Sequence, residues 1–377
     1  MQSAMTMEEI EAFAKECEDF GLVGMVEKQG IKRWQDFCIV DVVPTLPCEW
    51  LWHDGTAVHH NDDLAQQMVQ SFSPIKWSNQ FKVALRRKTK GRELRAEIFR
   101  QTVQLFRLNE YEFNGELIKL DTAATAKETY FYKKPRLLNP VRSSHETKFS
   151  VVEADCIEMA ESLKNAGYNV CMLNMASRQN PGGGVLGGAG AQEENIFRRS
   201  NLFQSLYQFA DYAEEYGVKR DTKHSYPLDR NTGGIYSKRV FIVRGSEKNG
   251  YCFLQNPFGL SIVSVPAINR PQLEKSPDGK YYIAEELVEP AKEKIRTILR
   301  IGGEFNHDCL VLSAFGCGAF QNPPHHVARL FKEVFFEDEF RDRFRLVVFA
   351  IIDDHNAWHD HNPEGNALPF LREFEDE

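Results

Sequence analysis

The feature that most constrains this 377-residue chain is a recurrence of short, nearly pure aliphatic runs. NVCMLNM (169–175), LSIVSV (260–265), CLVLSAF (309–315) and RLVVFAII (345–352) carry almost nothing charged in their middles. A strand with one wet face alternates apolar and polar residues, so runs of this kind predict strands buried on both faces. Segments of helical periodicity stand between them: CIEMAESLKNAG (156–167), a stretch from about 192 to 209, HHVARLFKEVFF (325–336), and 284–302, interrupted or started near Pro290. FSVVEAD (149–155) and RVFIV (239–243) add strands. KGRELRAEIFRQTVQLFR (90–107) adds a helix with Leu94, Ile98 and Leu105 on one face and charges over much of the other. Strands alternating with helices predict an α/β fold, a three-layer α/β/α sandwich around a mixed central sheet.

Composition narrows the function classes. With 42% hydrophobic and 27% charged residues, the chain has ample material for a buried core. Its formal net charge of -8 argues against general attraction to nucleic acid or to an anionic membrane. The start, MQSAMTMEEIEAFAKECEDF, is acidic and amphipathic, unlike a secretory leader. No apolar run approaches the ~20 residues of a membrane span. The eight cysteines are scattered, several within apolar runs, which predicts reduced thiols and a cytoplasmic protein, or a nuclear one in a eukaryote.

Residues 1–87 form a distinct N-terminal extension before a main domain at 88–377. In the extension we expect a helix at 7–20, then strands and turns over FCIVDVVPTLPCEWLW (37–52). Cys38, Cys48, His53, His59 and His60 match no metal-ligand spacing, and the His- and Asp-rich DDHNAWHDHN (353–362) reads as a solvated surface, so no metal is expected.

Chemistry concentrates in two glycine-rich loops that follow strands, where open α/β sheets bind ligands. NMASRQNPGGGVLGGAGAQEE follows the strand at 169–174, and SAFGCGAFQNPP (313–324) the one at 309–312. Glycines let backbone amides approach phosphates, and each loop is expected to lead into a helix N-terminus, which favours anions. Two such loops suit a diphosphate. Neither has the Lys-Ser/Thr of a Walker motif, and GVLGGAG fits the dinucleotide fingerprint only loosely, which disfavours a nucleotide-binding oxidoreductase. The first loop ends in adjacent acids, Glu193 and Glu194. Alone, such a pair is most simply a complement to the helix dipole. At the mouth of a diphosphate cradle, however, carboxylates repel the ligand. That placement points to a general acid whose pKa is raised by its neighbour, as glycoside cleavage requires. Asp155 has a plain reading as the N-cap of the helix at 156. Cys317 reads as a small residue in a tight turn, not a nucleophile, and His325 and His326 as first-turn helix residues.

The run PGGG, seven residues, then QEE, followed by NIFRRSNLF, resembles the catalytic loop of the microbial-type poly(ADP-ribose) glycohydrolases, a family with a macrodomain-like fold. RAEIFRQTVQLF (95–106), VVEADC (151–156), LSAFGCGAFQNPP and VVFAIID (347–353) resemble further family segments in the same order, so the resemblance spans about 88–377. It implies a hydrolase of the ribose–ribose O-glycosidic bonds of poly(ADP-ribose), acting from chain ends and releasing ADP-ribose without a cofactor. Glu194 would be the general acid and base, and Glu193 would hold ribose hydroxyls. Gln192 would support the loop. Gly182, Gly183, Gly184 and Val185 would wrap the diphosphate and distal ribose from one side. Ser313, Ala314, Phe315, Gly316, Cys317, Gly318 and Ala319 would wrap it from the other, with Phe320 against the distal ribose. Asp155 would accept from the adenine amino group, the Cys156 amide would donate to the ring, and Asn174 and Asn180 would contact or brace the distal ribose. The implied partner is ADP-ribose or its polymer on modified proteins, bound by a monomer, with no membrane. The segment 210–235 would shape access to the cleft. Two alternatives stay open at this level: a hydrolase of single ADP-ribose units on protein or nucleic acid, and a non-catalytic ADP-ribose-binding domain. Retention of both acids argues against the latter, because binding alone gains nothing from carboxylates beside phosphates.

Overall fold

The structure, a computed structural model, describes residues 91–141, 145–277, 279–354 and 356–374. The expectations for the extension, including its helix, strands, cysteines and histidines, lie outside the described residues.

The aliphatic runs are central strands. The seven-stranded sheet contains β3 (Thr129–Tyr132), β4 (Lys148–Val152), β5 (Val170–Met175), β6 (Gly234–Arg244), β7 (Phe253–Val265), β10 (Cys309–Leu312) and β11 (Leu346–Ala350). Their order is β3-β6-β7-β5-β10-β11-β4. From β7 to β4 neighbouring strands run parallel, whereas β7–β6 and β6–β3 are antiparallel, so the sheet is mixed. Two short hairpins stand apart, β1 (Glu110–Phe113) with β2 (Glu116–Lys119) and β8 (Leu273–Lys275) with β9 (Tyr281–Ile283).

Alternation along the strands builds two cores. Val170 and Met172 of β5, with Cys309 and Val311 of β10, face one core. Cys171, Leu173, Leu310 and Leu312 face the other. The first core is covered by α1 (Gly91–Leu108), α2 (Cys156–Asn165) and α3 (Gln192–Arg199), the second by α5 (Glu285–Glu304), α6 (Pro324–Phe335) and α7 (Ala367–Phe374). This is the three-layer sandwich that the sequence predicts. Strands buried on both sides have no solvated face, hence the nearly unbroken aliphatic runs.

Three local readings are corrected. The helix expected from 192 to 209 is broken, because Ser200 is extended (φ −151°) and bridges Ile242, and the Asn201 carboxamide accepts from the Phe241 amide at 2.7 Å. Chain therefore resumes as α4 (Leu202–Leu206). Pro290 neither starts nor interrupts the long helix; it sits inside α5, near its beginning, where few intrahelical bonds are lost. The polar face of α1 is only partly solvated. Gln101, Thr102 and Gln104 are buried along with Leu94, Ile98 and Leu105, and Thr102 Oγ1 donates to the Arg198 carbonyl at 2.7 Å.

Candidate active site

The carboxyl ends of β4, β5, β10 and β11 open onto a cavity of about 670 Å³. Its size suits one compact organic ligand. Its walls include Glu153 to Cys156 after β4, Met175 and Gly190 to Gln192 after β5, Ser313 to Phe320 after β10, and Ala350 to Ile352 with Asp354 after β11. A further wall comes from Arg95 of α1 and from Ser246 to Lys248 in the turn between β6 and β7.

The two glycine-rich loops meet this cavity differently. In the first, the amides of Gly183, Val185, Gly187, Gly188 and Ala189 all bond to carbonyls within the loop. The Gly182 amide donates to Glu193 Oε1 at 3.1 Å and the Gly184 amide to Glu194 Oε1 at 2.8 Å. The loop is therefore closed upon its own carboxylates. Gly183 has φ +55°, and a Cβ there would lie 2.5 Å from Glu194 Oε1 and 3.2 Å from Glu193 Oε2, so both acids converge on the space its missing side chain leaves. Gly188, at φ +68°, crosses α1 so closely that a Cβ would fall on the Arg92 carbonyl oxygen. Val185 is buried in the first core. Of this loop only its end, Gly190 and Ala191, lines the cavity, followed by Gln192 of α3. Ala191 is the N-cap and offers no capping side chain, so the first-turn amides of α3 keep the anion preference expected of them.

Glu193 points into the protein. Oε1 accepts from Gly182 and, at 3.4 Å, from Asn174 Nδ2, and Oε2 accepts from the Ser177 amide at 2.7 Å. Burial, and then the neighbouring Glu194, push the Glu193 carboxyl up to about 8, against the pull of those donors. Glu194 is nearly as buried. Its Oε1 is held by Gly184, and its Oε2 is buried with no hydrogen-bond partner among the described residues. Gln192 locks the start of α3 onto β5: Nε2 donates to the Leu173 carbonyl at 2.9 Å and Oε1 accepts from the Met175 amide at 2.7 Å.

Asn174 is fully buried on β5, donating to Ser264 Oγ at 3.0 Å as well as to Glu193. Asn180 is exposed in the turn before the glycines, its carbonyl accepting from Gly183. Neither lines the cavity.

The second loop supplies more of the lining. Ser313, Ala314, Gly316, Gly318, Ala319 and Phe320 line the cavity, whereas Phe315 and Cys317 turn into the second core. Asn322 stitches the loop together, its Nδ2 donating to the carbonyls of Ile268, Gly316 and Phe320. This loop does not lead directly into an anion-binding helix end. Gln321 to Pro323 intervene, α6 opens on Pro324, which has no N–H to donate, and none of 321–326 lines the cavity. Cys317 is fully buried with its thiol pushed well above the usual range by burial, so it is no nucleophile. His326 is in the first turn of α6, where Nδ1 accepts from the Ile283 amide and burial lowers its pKa to about 4.

Asp155 does cap α2, accepting from the amides of Ile157 and Glu158, both at 3.0 Å. It also forms an ion pair with the buried Arg199, at 2.7 Å from Oδ2, and still lines the cavity. Cys156 is beside it at the first position of α2, its thiol raised to about 12, chiefly by burial.

Arg95, Glu153, Ser246 to Lys248, Asp354 and Asn356 are cavity residues that the sequence reading missed. Asp354 carried a usable signal, since it closely follows a predicted strand, and Glu153 lies near the end of another. Arg95 and Glu247 carried none, because packing of α1 against the β6–β7 turn brings them there. The segment 210–235 lines no part of the cavity. It packs instead beside the acid pair: the Leu228 amide donates to the Arg178 carbonyl, and the Tyr212 and Tyr226 phenols are raised by burial and then by the nearby Glu193.

Residues 99–245 match the family model for the catalytic domain of microbial-type PARG. No curated protein matches the sequence. Among solved structures, poly(ADP-ribose) glycohydrolase from Thermomonospora curvata is 29% identical, with a TM-score of 0.60 over 75% of this chain and all of that one. The same enzyme bound to the inhibitor ADP-HPD gives 28% and 0.58. The glycohydrolase from Deinococcus radiodurans in complex with ADP-ribose is 29% identical, with a TM-score of 0.52 over 69% of this chain and 99% of that one. The sandwich described above is thus macrodomain-like.

Proposed function

We propose a specific reaction for this chain, which belongs to the microbial-type poly(ADP-ribose) glycohydrolase family: hydrolysis of ribose–ribose O-glycosidic bonds from chain ends, with Glu194 as general acid and then base. The observation that carries this reading is Glu194 itself. One carboxyl oxygen is fixed by the Gly184 amide, and the other is buried without a hydrogen-bond partner among the described residues. Such an oxygen is costly unless something is to meet it, and a protonated carboxyl there needs an acceptor. A glycosidic oxygen supplies one. Transfer of the Glu194 proton to that oxygen lets the bond to the anomeric carbon break, leaving the electron pair on the departing ribose. Water then adds to the anomeric carbon as the Glu194 carboxylate takes its proton, which restores the acid.

Glu193 and Gln192 serve this step by position. Gln192 ties the helix to β5 and Glu193 ties the loop to it, so Glu194 is carried on a rigid turn two residues beyond the cavity wall. A cavity of about 670 Å³ holds one ADP-ribose unit, which supports release of single units. In this reading Asp155 Oδ2 and the Cys156 amide meet the adenine, and the backbone from Ser313 to Phe320 meets the diphosphate.

Incubation with polymer-modified protein, with proteins carrying single ADP-ribose units on Ser, Glu or Arg, and with modified DNA tests the substrate. Release of ADP-ribose from the polymer is expected. Release only from singly modified substrates would replace this assignment with a mono-ADP-ribosyl hydrolase.

A further inference from the structure

Tyr251 is fully buried, yet it joins neither of the two apolar cores. Its backbone stands at φ +52°, directly after Gly250 at φ +68°, in the turn between β6 and β7. That region suits Gly or Asn and is rare for a bulky residue, so a position needing only the turn has no use for a tyrosine. The conformation is enforced from both ends. The Tyr251 amide donates to the Ser246 carbonyl at 3.0 Å, and the fully buried Arg244 donates through Nη1 to the Tyr251 carbonyl at 3.0 Å. Enforced outliers of this kind cluster at functional sites. Here the hydroxyl is the centre of a polar network. It donates to Glu247 Oε2 at 3.2 Å, and accepts from Arg198 Nε at 2.8 Å and from Asn195 Nδ2 at 3.3 Å. Burial pushes the phenol up to about 12, so it keeps the proton that it donates. Arg198, itself fully buried, carries the contact onward: its Nη1 donates to the Ala189 carbonyl at 2.7 Å. The Ala189 amide donates to the Gly184 carbonyl at 3.1 Å, and the Gly184 amide to Glu194 Oε1 at 2.8 Å. An unbroken run of hydrogen bonds therefore leads from Tyr251 to the carboxyl of Glu194. Neither Tyr251 nor Arg198 lines the cavity, so neither meets a ligand there.

We propose that Tyr251 is a positioning residue for the acid: its hydroxyl holds the Arg198 guanidinium on the Ala189 carbonyl, and so holds the loop whose Gly184 amide fixes Glu194. This rests on the reading of Glu194 as the general acid. The guanidinium is gripped at two points, Nε on the hydroxyl and Nη1 on the carbonyl, which sets its plane. A lysine has one nitrogen and cannot span both acceptors. Without the hydroxyl, Nε becomes a buried charged donor that must seek another acceptor, and the group is free to turn away from Ala189. The loop then no longer presents the Gly184 amide at a fixed place, and the Glu194 carboxyl strays from the line of proton transfer. A displacement of about 1 Å can cost about 10²-fold in turnover.

Steady-state turnover of polymer by the full chain, together with calorimetric binding of ADP-ribose, tests the proposal. Tyr251→Phe, which removes only the hydroxyl, is expected to lower kcat about tenfold or more, with KM and ADP-ribose affinity changed less than about twofold. Arg198→Lys keeps the charge but not the two-point grip and should show the same split, which keeps the role testable if Tyr251→Phe does not fold. Added to Glu194→Gln, Tyr251→Phe should slow the residual turnover no further, because it acts through the acid. Wild-type kcat in a folded Tyr251→Phe, a loss of ADP-ribose affinity as large as the loss of kcat, or a full further loss in the Glu194→Gln background would overturn the role of Tyr251. Full turnover in Glu194→Gln alone would instead sink the underlying assignment of the acid.

Discussion

The loops 181–191 and 313–320 share a glycine-rich composition and a place at the ends of parallel strands, but their backbones do opposite things. The first spends its amides internally, on its own turns and on the two carboxylates that follow it. The second lines the cavity along most of its length, with Ser313, Ala314, Gly316, Gly318, Ala319 and Phe320. Glycine serves close packing in one case and ligand access in the other. In the proposed reaction the first loop holds the acid and the second receives the ligand.

Substitutions can break this contrast, and the largest effect is expected at Glu194. Glu194→Gln removes the transferable proton while keeping the Gly184 bond available to the amide oxygen. Turnover of polymer should fall by about 10²–10⁴-fold with ADP-ribose binding largely kept. Full activity, measured as ADP-ribose release, would end the assignment of Glu194 as the acid.

Glu193→Gln comes next. Both Glu193 oxygens accept from N–H donors, so an amide must set one donor against another and loosen the loop. Misplacement of the acid by about 1 Å can cost about 10²-fold in turnover. This carboxyl also marks the pH response. Its folded pKa, about 8, lies above its unfolded value, so its contribution to stability is complete below about pH 4.3. That contribution is lost as pH rises through about 8. Thermal melts across this window should show wild-type stability declining with pH and a flatter profile in Glu193→Gln. Wild-type turnover should likewise decline above about pH 8, as Glu193 ionises beside the acid it positions.

Glycine substitutions compare the loops directly. Gly188→Ala drives a methyl into the Arg92 carbonyl of α1, and neither backbone can yield easily. A loss of about 1–3 kcal/mol is expected, read as a lowered Tm, together with impaired turnover. In the second loop, Gly318→Ala meets nothing nearer than Asn356 Cβ at 3.5 Å, an ordinary contact, and its φ is not positive. Its cost should stay within about 0.5 kcal/mol. Equal losses at the two positions would dissolve the distinction drawn here. The smallest effect is expected from removing residues 1–87: the remaining 88–377 should fold and bind ADP-ribose. Failure to fold would assign the extension to the core of the molecule.

How much was legible in the sequence varies with the range of the interaction. The strands at 170–175, 309–312 and 346–350 declared themselves because burial on both faces leaves an unbroken aliphatic record. Asp155 was legible as a helix cap because capping is local. The break at Ser200 was not, since its cause is pairing with β6, more than forty residues on. Nor was the Arg95–Glu247 wall, whose partners stand 152 positions apart.

By itself the sequence determined the layered α/β architecture, the two glycine-rich loops at strand ends and the adjacency of Glu193 and Glu194. Each depends on periodicity or on neighbours along the chain. Tertiary structure alone decided which donors pin Glu193 and that Glu194 Oε2 is buried without a hydrogen-bond partner among the described residues. It also decided which loop faces the cavity and which distant hydroxyl meets Arg198 at the tip of the other. Those outcomes depend on the distance between groups and on their removal from water, quantities that exist only once separate segments are packed together.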